Sequence, residues 1–322
     1  MNRISIALCT YNGARFLSDQ LKSIVSQHRQ PDEVIVCDDS SSDGTGKILH
    51  GFAKNAPFPV KLFFNEQKLG PTNNFDKAIR LCEGNLIALC DQDDVWYPQK
   101  LKQCERFFDE KPDTGGVFCN AEVTDQNLHS LGYDIWQKSA FTVKEQQKVV
   151  IGNALSVLIK HYIVTGATLI FKADLKPIVL PIPSYWFHDA WIALLIASVS
   201  SLSFIHEPMM KYRQHSDNQL GGKRKGLIRD VLDAFEINRT DYFSLELEKY
   251  RSACDRLKMF SNANIPLSLF LIDNKINHLE TRLSMNRHRT LRIPSFIKEL
   301  ASGRYAQYAR NWGSVAMDLL FR

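Results

Sequence analysis

LIALCDQDDVW, residues 86–96, carries a run of five apolar residues and then three aspartates within four positions. An uninterrupted apolar run of that length reads as a strand buried on both faces, the usual sign of a parallel sheet. Asp91, Asp93 and Asp94 then stand just beyond its C-terminal end. Carboxylates this close repel one another unless a cation sits among them. Trp96, two residues on, needs packing to cover it and argues against a merely solvated turn.

The same grammar appears on either side. ISIALC (4–9) runs into Thr10-Tyr11-Asn12-Gly13, and a helical pattern follows through Phe16, Leu17, Leu21, Ile24 and Val25. EVIVC (33–37) runs into Asp38-Asp39-Ser40-Ser41-Ser42-Asp43-Gly44, and VKLFF (60–64) is a third strand candidate. A helix is expected near 72–82, another over QKLKQCERFF with Pro98 in its first turn, and a strand over GVFCNAEV (116–123). Strands alternating with helices at this spacing predict an α/β fold with a mostly parallel sheet flanked by helices. In such a sheet ligands bind beyond the carboxyl ends of the strands, so the three polar clusters should share one rim.

Farther on, VTGATLIFK (164–172) is strand-like, PIVLPIPSYW (177–186) a loop, HDAWIALLIASV (188–199) a helix, and LSFIHEPMMKYRQH (202–215) a strand ending in a polar loop. GGKRKG (221–226) reads as a boundary, with a domain over 1–221 and a helical, basic region over 222–322. Its helical patterns are LIRDVLDAFEI, SLELEKYRSACDRLKMF and LSLFLIDNKINHLETRLS.

The net charge of +5 is uneven: residues 281–322 carry eight Lys or Arg against Glu299 and Asp318, leaving the body near neutral. A nucleic-acid binder would place its charge on the recognition domain, so no nucleic acid is expected. A basic segment mixed with Phe, Tyr, Trp and Leu suits peripheral contact with an anionic membrane surface; a helical cap or a homodimer surface is the other reading. The seven scattered cysteines, with no CxxC pair, read as buried free thiols in a reducing compartment. The N-terminus lacks the pattern of a signal peptide, and the most apolar stretch, 190–205, is too short and serine-rich to span a bilayer.

GxGxxG and the Walker lysine loop are both absent. Asp91 and Asp93 instead suit a hard divalent cation, Mn²⁺ or Mg²⁺, which takes protein carboxylates together with substrate phosphate oxygens. Asp38 or Asp39 suits a base N–H or a ribose hydroxyl. Asp43-Gly44 reads as a solvated turn.

Taken together, ALCTYNG…FLSDQLKSIVSQ, VIVCDDSSSDGT, NEQKLGPTNNFDKAI and ALCDQDDVWYPQKL resemble the inverting family 2 glycosyltransferases with the GT-A fold. DQDDVW, HDAW and YRQHSDNQLG are similar, more narrowly, to the bacterial rhamnosyltransferase-like branch. The resemblance covers roughly residues 3–221. It implies transfer from a nucleoside-diphosphate sugar, dTDP-rhamnose or a UDP-hexose, to a lipid-linked or oligosaccharide acceptor of a surface polysaccharide. The place of work would be the cytoplasm, at the cytoplasmic face of the inner membrane.

Residue by residue, the resemblance assigns Thr10, Tyr11, Asn12, Asp38 and Asp39 to the nucleotide, and Asp91 and Asp93 to the metal-binding DxD element, with Asp93 the direct ligand. Asp94 would orient the loop or meet the sugar, Asp189 would be the general base, and Arg213 and His215 would close over the diphosphate. Ser40 stands where the family most often has glycine, a departure that costs energy if the backbone there needs a positive φ. Other readings are an inactive nucleotide-sugar-binding scaffold and a nucleotidyltransferase; TYNGARF lacks the glycine- and lysine-rich loop expected of the latter. Asp189 could merely cap a helix, His188 merely pack, and His215 merely fix a loop.

Overall fold

The computed structural model describes residues 2–216, 239–286, 288–310, 314–315 and 318. The expected boundary at 221–226, the helical stretch 227–237, the end of YRQHSDNQLG and the last residues of the basic segment lie outside the described residues. Two compact units are present, Met1–Ala154 with Ile163–Gly221, and Leu155–Tyr162 with Gly222–Arg322.

The first unit begins β1 (Ile4–Thr10), α1 (Leu17–Val25), β2 (Glu33–Asp38), α2 (Thr45–Asn55), β3 (Val60–Phe64), α3 (Pro71–Leu81) and β4 (Leu86–Cys90). It continues with β5 (Val95–Trp96), α4 (Lys100–Glu110), β6 (Thr114–Thr124), β7 (Ser130–Asp134), α5 (Ile135–Ser139) and α6 (Val143–Val150). After α7 (Leu155–Leu158), which belongs to the second unit, come β8 (Leu169–Lys172), α8 (Lys176–Val179), α9 (His188–Val199) and β9 (Ser201–Arg213). Every residue of β1, β2 and β4 is buried, as their apolar runs require, whereas the edge strand β3 is half-buried.

One sheet runs β3-β2-β1-β4-β8-β6-β9-β5, with β7 beside β6. β1 pairs in parallel with β2 and β4, β2 with β3, and β6 with β9. β8 runs antiparallel between β4 and β6, and β5 and β7 are short antiparallel additions. Successive strands step from β1 out to β3, then return to place β4 on the other side of β1. That reversal opens a crevice beyond the ends of β1 and β4, where an α/β sheet accommodates a ligand.

Three local expectations differ from the structure. Residues 164–172 form a 3₁₀ turn at Gly166–Thr168 before β8 begins. The stretch 177–186 opens inside the short helix α8. β9 continues as a strand through Arg213; Pro208 is tolerated because it sits where the β6 register shifts and no ladder N–H is needed. All seven cysteines are buried free thiols. α9 is buried on nearly every side, in keeping with its all-round apolarity.

The second unit contains α10 (Arg239–Lys258), α11 (Ile265–Ser284), α12 (Arg289–Ala301) and α13 (Arg304–Tyr308). Buried Phe243, Leu247, Tyr250, Cys254 and Leu257 recur along α10 with alternating steps of four and three. Ile265, Ser268, Ile272, Lys275, Leu279 and Arg282 do the same along α11, so the two helices meet along matched seams. The polar members of the α11 seam are satisfied from the following segments: Lys275 donates to the Tyr308 carbonyl at 2.6 Å, His278 meets Glu299 at 2.6 Å and Arg282 meets Asp318 at 2.6 Å. Arg282 and Arg292 are therefore interior groups, which removes two cations from the basic surface expected of 281–322. Among the described residues no helix is long and apolar enough to cross a membrane.

Candidate active site

The loops after β1, β2 and β4 are stitched together by their own polar side chains. The Asp38 carboxylate accepts from Thr10 Oγ1 (2.7 Å), Ser41 N (2.9 Å) and Ser41 Oγ (2.6 Å). Asp39 accepts from Asn65 Nδ2 (3.0 Å) and from the N–H groups of Leu69 (2.7 Å) and Gly70 (2.9 Å), which fixes the entry to α3. Asn12 N donates to Ser41 Oγ at 2.8 Å, and Asn12 Oδ1 accepts from Ser42 N at 2.9 Å. Both aspartates are buried. Each charge-assisted bond of this kind contributes about 1.5–3 kcal/mol. Ser40 has φ +65°, so serine does occupy a left-handed position that favours glycine.

Gln92 bridges the β4 loop to the β1 loop, accepting from Tyr11 N at 2.8 Å and donating to Tyr11 O at 3.0 Å. Its amide lies where a Cβ on residue 13 would fall, 2.2 Å from Oε1, so any larger residue there would push Gln92 off its bonds to Tyr11. The half-exposed Tyr11 ring carries the Lys68 ammonium at 3.6 Å from its centroid.

The three aspartates of the β4 loop occupy different environments. Asp94 is completely buried, takes the Arg213 N–H at 3.1 Å on Oδ1, and has no partner for Oδ2 among the described residues. Burial, then the charges of Asp93 and Asp91, push its pKa well above the carboxylate range. Asp93 Oδ2 lies 2.8 Å from His215 Nε2, which must be the donor because a carboxylate only accepts. The Asp91 carboxylate is half-buried and receives no hydrogen bond among the described residues; burial, then Asp93 and Asp189, raise its pKa to about 7.

Arg213, His215 and Lys100 flank this loop. Arg213 is buried and reaches three segments, the β4 loop, the β6–β7 loop and the start of α1: Nε donates to Asp93 O (2.7 Å), Nη1 to Gln126 O (2.6 Å) and Nη2 to Asp19 Oδ2 (2.9 Å), with the guanidinium 4.6 Å from the Phe16 ring. The His215 ring also packs on Phe16, at 4.6 Å between centroids. Lys100, from the first turn of α4, is completely buried over the Trp96 ring at 3.7 Å. The sequence reading passed over Lys100 as part of a helix face; its place four residues after a tryptophan was the available signal. Trp96 is covered as expected, by Lys100.

Asp189 occupies the second position of α9, whose N-cap is Phe187, so it does not cap the helix. Its Oδ2 accepts from Gly166 N at 2.9 Å and its Oδ1 from Ala190 N at 2.8 Å. It is close enough to Asp91 for its charge to help raise that group's pKa. His188 stacks on Phe75 at 3.9 Å, its Nε2 has no partner among the described residues, and burial lowers its pKa. A Cβ on Gly166 would lie 2.6 Å from that Nε2. Thus the fold brings the β1, β2 and β4 loops, Arg213, His215 and Asp189 to one rim, although Asp38, Asp39 and Arg213 are tied into the scaffold.

Among the described residues no group of three His, Cys, Asp or Glu side chains could hold a metal ion alone. The residues nevertheless fit a divalent cation that completes its shell from a substrate. Asp91 offers hard oxygens with no donor on them among the described residues, and like charges around it favour a counter-cation over a second anion.

Residues 5–170 match the family model described as Glycosyl transferase family 2. The dTDP-rhamnosyl transferase RfbG of Shigella flexneri is 28% identical over 240 residues, covering 69% of this chain and 79% of that protein. An uncharacterized glycosyltransferase of Nostoc is 25% identical over 221 residues, and the chain spans 66% of its length, against 67% of its own. Among solved structures, S. aureus TarS 1–349 in complex with UDP-GlcNAc aligns with a TM-score of 0.59 at 17% identity, covering 95% of this chain and 81% of that one. The mannosyltransferase PcManGT of Pyrobaculum calidifontis, in complex with GDP-Man and Mn²⁺, aligns at 0.52 and 18% identity, covering 95% and 76%. These two likenesses concern the fold, which is GT-A. With the family model matching over half of its length, the chain belongs to glycosyl transferase family 2.

Proposed function

We propose that residues 1–221 form the catalytic domain of an inverting, metal-dependent glycosyltransferase. Its donor is a nucleoside-diphosphate sugar, dTDP-rhamnose or a UDP-hexose, and its acceptor a lipid-linked or oligosaccharide precursor of a bacterial surface polysaccharide such as O-antigen or capsule. The observation that carries this reading is the seat of Asp189: its carboxylate is held at 2.9 Å by the N–H of Gly166, in the turn that leads into β8, and β8 runs antiparallel to β4, so its start lies toward the end of β4 that carries Asp91. It sets a candidate base beside a candidate donor-phosphate site. The rhamnosyl donor draws support from the likeness to RfbG.

In this mechanism Asp189, oriented by the Gly166 N–H, accepts the acceptor hydroxyl proton as its oxygen attacks the anomeric carbon. The bond from that carbon to the diphosphate oxygen breaks on the opposite side, and the diphosphate leaves with the electron pair. Direct displacement inverts the centre. Asp91 and Asp93 would hold the Mn²⁺ or Mg²⁺, which supplies neutralisation of charge on the leaving diphosphate. His215 fixes Asp93 through its 2.8 Å contact, and Arg213 fixes the loop that carries both aspartates. The rim of Thr10, Tyr11 and Asn12 takes the nucleoside, on loops that Asp38 and Asp39 hold in place, with exposed Tyr11 offering a ring face.

A peripheral membrane contact of the second unit is supported by α12. Ile293, Ile297 and Leu300 are exposed at helical spacing, and the exposed charged residue beside them on the helix, Lys298, is a cation. This would place the protein at the cytoplasmic face of the inner membrane. The test of the central reading is nucleoside diphosphate release across a panel of nucleotide sugars with Mn²⁺. One donor should be consumed well above the others; tight donor binding with no turnover in the presence of acceptor extracts would favour the inactive scaffold.

A further inference from the structure

Lys100 is a buried charged group in this region that the proposed chemistry does not use and whose burial is costly. Its ammonium is completely enclosed, with no carboxylate among the described residues in ion-pair contact. Its contacts are the Ala167 carbonyl at 2.5 Å, Met210 Sδ at 3.6 Å and the Trp96 ring at 3.7 Å. Desolvating a cation to this degree is unfavourable unless something else requires it there.

The two sides of its setting supply the requirement. Behind it lies the ring of Trp96, 3.7 Å from the ammonium, in β5 directly after the acidic loop. Before it lies the 3₁₀ turn Gly166–Thr168, closed by Thr168 N donating to Thr165 O at 2.9 Å. The residue whose carbonyl Lys100 holds is next to Gly166, whose N–H holds Asp189 Oδ2 at 2.9 Å.

We infer that Lys100 is a positioning residue: by gripping the Ala167 carbonyl it fixes the Gly166 N–H, and so the carboxylate of Asp189, relative to the β4 loop. The inference rests on the reading of Asp189 as the base. It touches neither substrate nor reacting atoms, and it couples the acidic loop to the turn that orients Asp189.

The test compares full-length wild type, Lys100→Met and Lys100→Arg. Methionine keeps the length of the stem and removes the ammonium; arginine keeps a donor for the Ala167 carbonyl. Amide hydrogen exchange of residues 166–168 reads the turn without any turnover assay. Nucleoside diphosphate release from the donor found by the panel reads the base. In Lys100→Met the 166–168 amides should exchange about tenfold faster or more, with protection in β1 and β2 kept. Its kcat should fall about tenfold or more while donor KM moves less than about threefold. Lys100→Arg should recover most of both.

Unchanged exchange at 166–168 in Lys100→Met overturns the inference. So does a uniform loss of protection across the first unit, which would make Lys100 a packing residue. If Lys100→Met does not fold, a folded Lys100→Arg with unprotected 166–168 amides overturns it equally. A wild type that turns over no donor counts against the transferase reading, and the exchange comparison still decides for Lys100.

Discussion

Gly166→Ala isolates the support of the proposed base with a single methyl group. The added Cβ would sit 2.6 Å from His188 Nε2, 3.4 Å from His188 Cε1 and 3.6 Å from Asp189 Cβ. Relieving the first contact to 3.4 Å requires a shift of about 0.8 Å. His188 has little room to retreat, because its ring stacks on Phe75 at 3.9 Å between centroids. The displacement therefore falls on the start of α9 and on the bond from Gly166 N to Asp189. A misplacement near 1 Å costs about 10²-fold in rate, so kcat should fall roughly 10- to 100-fold. Overpacking of this kind costs about 1–3 kcal/mol of stability, even though alanine restricts the unfolded chain more than glycine does. The paired change Gly166→Ala/His188→Ala removes the obstructing ring. A double-mutant cycle on stability and on kcat/KM should then show favourable coupling of about 1 kcal/mol or more. Wild-type kcat and melting temperature in Gly166→Ala, or strict additivity in the cycle, would refute this account of how Asp189 is held.

Ser40→Gly relieves a left-handed serine at φ +65° and should stabilise the first unit by about 1 kcal/mol in urea unfolding, with no loss of donor turnover. In the second unit, burial lowers the Lys275 pKa from 10.5 to about 7. The unfolded chain then binds more protons between those values, so stability rises with pH from about 7 toward 10.5, by up to about 1.4 kcal/mol per pH unit. Lys275→Met should remove that slope in melts between pH 7 and 9; an identical slope in the two proteins would sink the assignment. Ile297→Asp should weaken co-sedimentation with phosphatidylglycerol vesicles several-fold and leave the weaker pull-down by phosphatidylcholine little changed. Equal recovery on anionic vesicles would argue that this face meets something other than lipid.

The parallel part of the fold was legible because β1, β2 and β4 are continuous apolar runs, each ending in polar residues, and the register of their pairing brings those ends together. The added antiparallel strands were harder to see. β5 is two residues long, and β9 contains a proline that normally argues against a strand. The site was legible as a list of acids and less so as an arrangement. Asp91, Asp93 and Asp94 look alike in sequence, yet one lacks a hydrogen-bond donor, one meets His215 and one is enclosed beneath Arg213. Lys100 and Gly166 escaped notice because their roles depend on contacts across 67 and 23 residues of chain, which no local pattern records. The charge count of the C-terminal segment did not show that Arg282 and Arg292 are spent inside the helical unit, but its two acids, Glu299 and Asp318, are buried there too, so the basic excess stands.

The most direct measurement is acceptor-dependent sugar transfer by wild type, Asp93→Ala and Asp189→Asn, each with Mn²⁺ and with chelator, with the anomeric configuration of the product read by NMR. The account predicts an inverted product from the wild type with metal, transfer lost with chelator or in Asp93→Ala, and donor binding retained but transfer lost in Asp189→Asn. Equal, metal-independent turnover by all three, or a product of retained configuration, would contradict it.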